Sequence, residues 1–320
     1  MRAVQVVDTA GPEHLEVREV PEPAPGPDDV LVEVHAVGVS FPDLLLSRGQ
    51  YQIKPEPPFA LGVDFAGVVV SGPGFAPGQR VAGVGPYGNA AELVASPAVS
   101  TFPLPDTLSF EEGAALPMNY LTAQFALAER GGIRAGETVL VHGAAGGVGT
   151  ATIQVAKGYA ARTIAVVSTD EKGEVARAAG ADEVVLLDGF KDAVAALTGG
   201  RGVDIVVDVV GGEVFTDSLR SLATQGRLLV VGFASGQGIP EVRVNRLLLN
   251  NIDVRGVGWG AYAMVRPGYM REQWDALLPM IESGVVKPPI GARYSFEDFG
   301  RALLDMDQRR TRGKSVVRVR

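Results

Sequence analysis

The stretch Glu137–Asp170 constrains the fold most tightly, because it reads strand, glycine turn, helix, strand. Thr138–His142 is a short β-branched apolar run. Gly143, Gly146 and Gly149 follow at intervals of three, with Gly147 and Val148 inside the series. Ala151–Ala161 avoids proline and keeps Ile153, Val155, Ala156 and Ala160 for packing, which predicts a helix. Thr163–Val167 is a second apolar strand. This order suits a dinucleotide. The first glycine lets the chain turn off the strand, the next lets backbone approach a pyrophosphate, and the last lets the helix pack close to the sheet. The same residues also read as a tight strand-to-helix turn in an α/β domain that holds no ligand.

The end of the second strand bears on cofactor choice. NAD-preferring sites usually place Asp or Glu here, to hold the ribose 2′-hydroxyl. Ser168 and Thr169 stand at the strand tip instead, with Lys172 after them. Hydroxyls and a lysine suit a 2′-phosphate, so the expectation is NADP(H). Asp170 and Glu171 pull towards NAD(H). A plainer reading makes Ser168-Thr169-Asp170 a helix N-cap and Lys172 a solvated charge, and both readings can hold together.

A chain of 320 residues is long enough for about two domains. With 46% hydrophobic and 21% charged residues, the balance is that of a globular protein. The net charge of −8 argues against a nucleic-acid surface. No run of eighteen apolar residues predicts a membrane span, and Met1-Arg2-Ala3-Val4 enters strand-like sequence without a signal peptide. Cysteine is absent, so disulfides, thiolate chemistry and cysteine-ligated zinc are excluded, and no metal is expected. Cytoplasmic location is the default.

Residues 1–115 read as many short strands with Gly/Pro turns, the pattern of a partly closed barrel. Phe41–Ser47 reads as a short helix there, and His14 and His35 as structural. Near Glu111 the composition changes. Tyr120–Glu129 looks helical, with Pro117 as an interruption. Beyond Glu137, strands and helices alternate, which means a parallel sheet covered by helices on both faces. From about Gly260 the chain changes character again. Trp274–Glu282 and Phe296–Met306 read as helices and Ser315–Val319 as a last strand, a tail able to return to the first domain.

The whole chain resembles the medium-chain dehydrogenase/reductase superfamily, and within it the zinc-free quinone oxidoreductase and enoyl reductase branch. The carriers are Val39–Asp43 with Gly49-Gln50-Tyr51, Pro58–Gly67, Gly78–Val81, Leu121–Ala123, Gly143–Gly149, Asp208–Gly211, Val231-Gly232, and Arg309 through Gly313-Lys314. The resemblance implies an α/β fold, a doubly wound Rossmann sheet inserted in a GroES-like β-rich catalytic domain. The expected limits are 1–117 for the first part of the catalytic domain, 118–257 for the NADP-binding domain and 258–320 for the completing segment. Family members are often dimers or tetramers, and an apolar strand near Asn251–Gly258 points to a homodimer.

The departures are informative. Zinc-dependent relatives carry a catalytic Cys where this chain has Ser40, and a His where it reads Gly62-Val63-Asp64. The quinone reductase pattern has Asn at position 40 and often Tyr at 45, and here Ser40 and Leu45 stand there. Tyr51 matches a tyrosine that enoyl-thioester reductases place in the cleft, where it would be a donor or proton source. Its plainer reading is a packed loop aromatic. Ser40 would orient substrate or the cofactor amide, or is simply a turn residue. By the same resemblance Asn119 and Thr122 approach the nicotinamide, while Val209, Val210, Gly211 and Gly232 line the carboxyl edge of the sheet. Phe233 either covers the nicotinamide or belongs to the core. Arg309 reaches the cofactor, or is part of a solvated basic turn.

Three functions follow. The first two share NADPH and a hydride step: reduction of a quinone, or of an activated alkene such as an enoyl thioester. The third is a cofactor-binding protein with a structural or RNA-associated role, as in lens crystallin relatives. The first two are preferred, acting on a small-molecule substrate without nucleic acid or membrane partners.

Overall fold

Asp29–Gly38 is one of the expected strands, its residues alternating between buried and half-buried over most of its length, and the β-rich part of the chain is assembled on it. The computed structural model describes residues 1–320, and these divide into two units. The first comprises Met1–Asn119, Pro267–Trp274 and Pro288–Arg320. The second comprises Tyr120–Arg266 and Asp275–Lys287. The sequence boundary at 257 therefore falls inside the second unit, which runs on to Arg266 and takes up 275–287 as well.

In the first unit a seven-stranded sheet runs Ile290–Tyr294, Lys314–Arg318, Asp29–Gly38, Asp64–Ser71, Arg80–Val84, Thr101–Pro103, with Leu93–Pro97 also on Asp29–Gly38. A small sheet joins Arg2–Val6 to Leu15–Glu19 and Phe59–Ala60. Inward Val30, Val32, Val34, Phe65 and Val317 form one core. The C-terminal strand returns antiparallel to Asp29–Gly38, pairing Val316 with Gly38. The strand Ile290–Tyr294 is missed by the sequence reading, because Pro288, Pro289 and Gly291 hide its alternation.

The second unit contains six parallel strands. Their order is Glu183–Leu186, Arg162–Val167, Thr138–Val141, Val203–Asp208, Leu222–Val230, Asp253–Gly256. Numbered along this unit the order is 3-2-1-4-5-6, the doubly wound arrangement. It reverses between Thr138–Val141 and Val203–Asp208, and ligands collect outside the carboxyl ends at such a point. At the opposite end of the sheet, Arg227 pairs with Glu137 at 2.7 Å and donates to the carbonyls of Gly131 and Gly132. This pins the π-helical turn Phe125–Gly131 that replaces the expected end of the helix through Glu129. The break expected at Pro117 is present: one helix, Phe110–Ala115, ends before Leu116, and Pro117 starts the next. That helix is Pro117–Gln124, and at its first position the missing N–H costs nothing.

Candidate functional site

The glycine turn lies at the reversal point of the parallel sheet. Gly143 adopts φ +60, so it leaves its strand in the left-handed region. The helix begins at Gly147 rather than Ala151, running Gly147–Gly158 and taking Val148 and Gly149 into its first turn. A Cβ on Gly149 would lie 2.3 Å from the Gly143 carbonyl oxygen and 2.7 Å from Ala144 Cα. Only hydrogen fits there. Gly146, the N-cap, differs: its φ is −86, and a Cβ would meet only the Gly143 oxygen, at 3.3 Å. Open space beside the N-terminus of a 12-residue helix, with first-turn N–H groups lacking intrahelical acceptors, fits a dinucleotide pyrophosphate.

At the tip of the second strand Ser168 and Thr169 are exposed. Thr169 caps the helix Asp170–Ala178, its hydroxyl accepting the Lys172 N–H at 3.4 Å. Lys172 Nζ donates to Ser168 Oγ at 3.3 Å. The capping reading and the phosphate reading thus coexist in the same residues.

Asp208 shapes the neighbouring edge. Its Oδ1 accepts the N–H groups of Val210 at 2.8 Å and Gly211 at 2.9 Å, folding the loop that holds Val209. Gly211 adopts φ +64, and a Cβ there would lie 2.8 Å from Phe233 Cδ1. Phe233, after Gly232, remains 39% exposed, which removes its core reading. Just before the glycine turn lies His142, read from sequence only as the end of a strand. The Ser218 hydroxyl donates to the Val214 carbonyl at 2.7 Å, so it accepts from His142 Nε2 at 2.7 Å. His142 Nδ1 and Asp208 Oδ2 are buried without partners. Burial pushes the imidazole pKa down to about 4 against the opposing charge of Asp208, so the ring is neutral at pH 7.

The β-rich unit holds a second polar cluster. Ser40 is the N-cap of Phe41–Ser47, and its N–H donates to Asp43 Oδ2 at 2.9 Å in a capping-box arrangement. Asp43 Oδ1 accepts the Gly62 N–H at 3.0 Å. Ser40 Oγ donates to Asp64 Oδ2 at 2.8 Å. Lys314 Nζ donates to Ser40 Oγ at 2.5 Å and to Asp64 Oδ2 at 2.8 Å. Asp64 Oδ1 accepts the Met118 N–H at 2.7 Å. Strand register builds this group. Val316 opposite Gly38 puts Lys314 level with Ser40, and Gly38 opposite Asp64 brings in the third strand. Gly38 also makes room, since a Cβ there would sit 2.9 Å from Lys314 Cε and 2.1 Å from the Ala114 oxygen. Burial, and then the charge of Asp64, lifts the Asp43 pKa to about 7, although two backbone N–H groups oppose the shift.

Two family models match the chain. The zinc-binding dehydrogenase model covers residues 147–283, and the alcohol dehydrogenase GroES-like domain model covers 26–106. Quinone oxidoreductase-like protein 2 of Rattus norvegicus is 39% identical over 310 residues, 95% of this chain and 88% of that protein. The chain belongs to the medium-chain dehydrogenase/reductase superfamily, in its zinc-free quinone oxidoreductase branch. Among solved members of the superfamily, a probable oxidoreductase from Mycobacterium abscessus has a TM-score of 0.91 at 44% identity, covering 99% of this chain and 98% of that one. A mycobacterial protein complexed with NADPH has a TM-score of 0.90 at 35% identity, covering 99% and 100%. This protein is therefore an oxidoreductase of that superfamily, with a turn shaped for a nicotinamide cofactor.

Ser40 and Asp64, the latter in the stretch Gly62-Val63-Asp64, meet here around an ammonium. They do not suit a divalent metal, because Lys314 already fills the space between them. No group of three or more His, Cys, Asp or Glu side chains is placed to hold one. Tyr51 is half-buried against the core of its unit. Burial, and then the charge of Asp43, raises its hydroxyl pKa, so it is a weaker acid than an ordinary tyrosine. Asn119 and Thr122 are buried on Pro117–Gln124. Arg309 is exposed in the turn after Phe299–Asp307, with φ +57. His14 pairs with Asp8 at 3.2 Å, and His35 stacks on Phe110 at 4.2 Å, which are structural roles.

Proposed function

We propose that the protein is an NADPH-dependent reductase that transfers hydride to a quinone, with an α,β-unsaturated carbonyl compound, such as an enoyl thioester, as the alternative acceptor. The supporting observation is the Ser168–Lys172 pair beside a glycine cradle that has no room for larger residues at Gly149. A lysine ammonium and two hydroxyls at the strand tip suit a 2′-phosphate. The relatives named quinone oxidoreductase supply the acceptor class. When bound, the reduced nicotinamide supplies hydride.

The chain's own residues bind and orient. Gly143, Gly146, Gly147, Val148 and Gly149 hold the pyrophosphate. Ser168, Thr169 and Lys172 hold the 2′-phosphate. Val209, Gly211, Gly232 and Phe233 form the carboxyl edge that would receive the nicotinamide, and by family resemblance Asn119, Thr122 and Arg309 would belong to the same cofactor set. Ser40 and Tyr51 are the residues of the β-rich unit assigned to the acceptor by family resemblance. With its pKa raised, Tyr51 orients substrate, and water delivers the proton.

The substrate is a small molecule, and cytoplasmic location without a nucleic-acid partner belongs to the same reading. No helix is long and apolar enough to cross a membrane. A homodimer is proposed at Asp253–Gly256, which ends the parallel sheet and pairs on one side only, beside exposed Val244, Leu248 and Leu249. Leu248→Asp should then shift the molecular mass in solution from dimer to monomer.

NADPH oxidation, followed with a quinone and a short enoyl thioester side by side, tests the activity. Turnover with NADPH well above NADH supports the reading. Tight NADPH binding without turnover of either acceptor would replace it with the binding-protein alternative. Turnover of the thioester alone would make the alternative acceptor the main one.

A further inference from the structure

His142 and Asp208 end neighbouring strands of the parallel sheet, both within the second unit. Val141 lies opposite Val207, and the His142 N–H donates to the Val207 carbonyl at 3.0 Å. The next pair along is therefore His142 beside Asp208. Paired residues send their side chains to one face, and strands lie about 4.8 Å apart, a gap that one water spans. Both side chains are buried. Each carries a polar atom of the same character. The Ser218 hydroxyl takes the Nε2 proton, so Nδ1 of the neutral ring is a bare acceptor. Asp208 Oδ1 holds the N–H groups of Val210 and Gly211, and Oδ2 is a second bare acceptor. No donor of the chain reaches either atom. Direct contact would set lone pair against lone pair. Two stranded acceptors on one buried face call for a donor with two protons, and internal waters sit where buried polar groups would otherwise go unsatisfied.

We propose that His142 and Asp208 form an internal water site, in which one water donates to His142 Nδ1 and to Asp208 Oδ2, and that this bridge makes His142 a positioning residue for the cofactor. The bridge steadies the carboxylate whose other oxygen folds the turn through Val210 and Gly211. That turn belongs to the edge that would receive the nicotinamide, so the positioning role rests on the reductase reading above. His142 acts through Asp208 and touches no cofactor itself.

Two measurements on the wild type test the site without turnover. A high-resolution crystal structure should show one ordered water within about 3.2 Å of both atoms. Nitrogen NMR of the imidazoles, assigned by variants of the three histidines, should show His142 protonated on Nε2 alone. A direct hydrogen bond between Nδ1 and Oδ2, a proton on Nδ1, or no water between them would overturn the proposal. The positioning role is read from cofactor affinity. His142→Phe keeps a ring against Phe190, which His142 meets edge-on at 4.9 Å, but removes the water's acceptor. Kd for NADPH should rise about tenfold, while Kd for 2′-phospho-ADP-ribose, which lacks the nicotinamide, should stay within about twofold. Equal loss of both ligands, or loss of neither, would reduce His142 to packing and overturn that role. If His142→Phe does not fold, the smaller His142→Leu carries the same comparison. A wild type that binds neither NADPH nor its fragment sinks the cofactor reading and the positioning role with it. The crystal structure and the imidazole tautomer then decide the water site alone.

Discussion

Lys314 Nζ lies 2.8 Å from Asp64 Oδ2, although 250 residues separate them along the chain. Both are shielded from water, so neither tolerates losing the other. Asp64→Ala should cost about 3–5 kcal/mol in urea unfolding, because it strands a buried ammonium. Replacing the pair with apolar groups, as in Asp64→Leu/Lys314→Met, should recover part of that loss. A single-variant cost below about 1 kcal/mol would mean that water reaches the pocket.

The two glycines of the turn should fail differently. Gly149→Ala drives a methyl into the backbone of Gly143 and Ala144, so stability and cofactor binding should both fall. Gly146→Ala meets only one oxygen, at 3.3 Å, and keeps an ordinary φ. Its Tm should stay within a few degrees of wild type, while NADPH affinity drops by about tenfold or more. Titration of bound NADPH fluorescence, beside a thermal melt, separates the two.

Cofactor choice should turn on the strand tip. Lys172→Glu places a carboxylate where a 2′-phosphate would lie, and like charges in contact cost several kcal/mol. Kd for NADPH should rise about 100-fold, and Kd for NADH should stay level or fall. An unchanged ratio would show that Ser168 and Lys172 serve only to cap and solvate the helix.

Asp43 should leave a signature in the pH dependence of stability. Its folded pKa, about 7, lies well above the ordinary aspartate value of 3.8 that the unfolded chain keeps. The native state therefore holds a proton that the unfolded chain has released. The associated stability is complete below pH 4 and is lost as pH rises towards 7. Asp64, Lys314 and Tyr51 are the ionisable groups that face it. Asp43→Asn cannot lose that proton, so its stability relative to wild type should climb between pH 4 and 7, approaching about 1.4 kcal/mol per unit. The amide also loses one of two backbone acceptors, which shifts the whole curve and leaves its slope intact.

How far these sites were readable depends on distance along the chain. The glycine turn, its strand and its helix lie within a few dozen residues, and local spacing alone carries them. Helix Phe41–Ser47 shows the same, since its cap and first-turn acid are neighbours in sequence. Lys314 stands just outside the strand read at Ser315–Val319 and enters the sequence reading only in the Gly313-Lys314 pair. Nothing near it announces that register places it level with Ser40. Gly38 has no distinguishing neighbour in sequence, and its purpose, a close approach of Ala114, Lys314 and Asp64 that a Cβ would block, exists only across several elements. His142 was hidden for a related reason: its partner Ser218 lies on a helix 76 residues away. Phe233 was ambiguous because an aromatic after a strand-ending glycine fits core and surface alike, and only its exposure decides.

The return of the last strand has a consequence for synthesis. A ribosome completes Tyr120–Arg266 well before it adds Lys314, the residue that neutralises Asp64. A nascent chain stopped between Gly256 and that lysine carries the interior carboxylate of Asp64 and no ammonium to meet it. Its dinucleotide sheet would already be whole, while its β-rich unit would be held open by its own charge. The β-rich unit thus depends on a strand made long after the one it neutralises, whereas every strand of the parallel sheet is complete by Gly256.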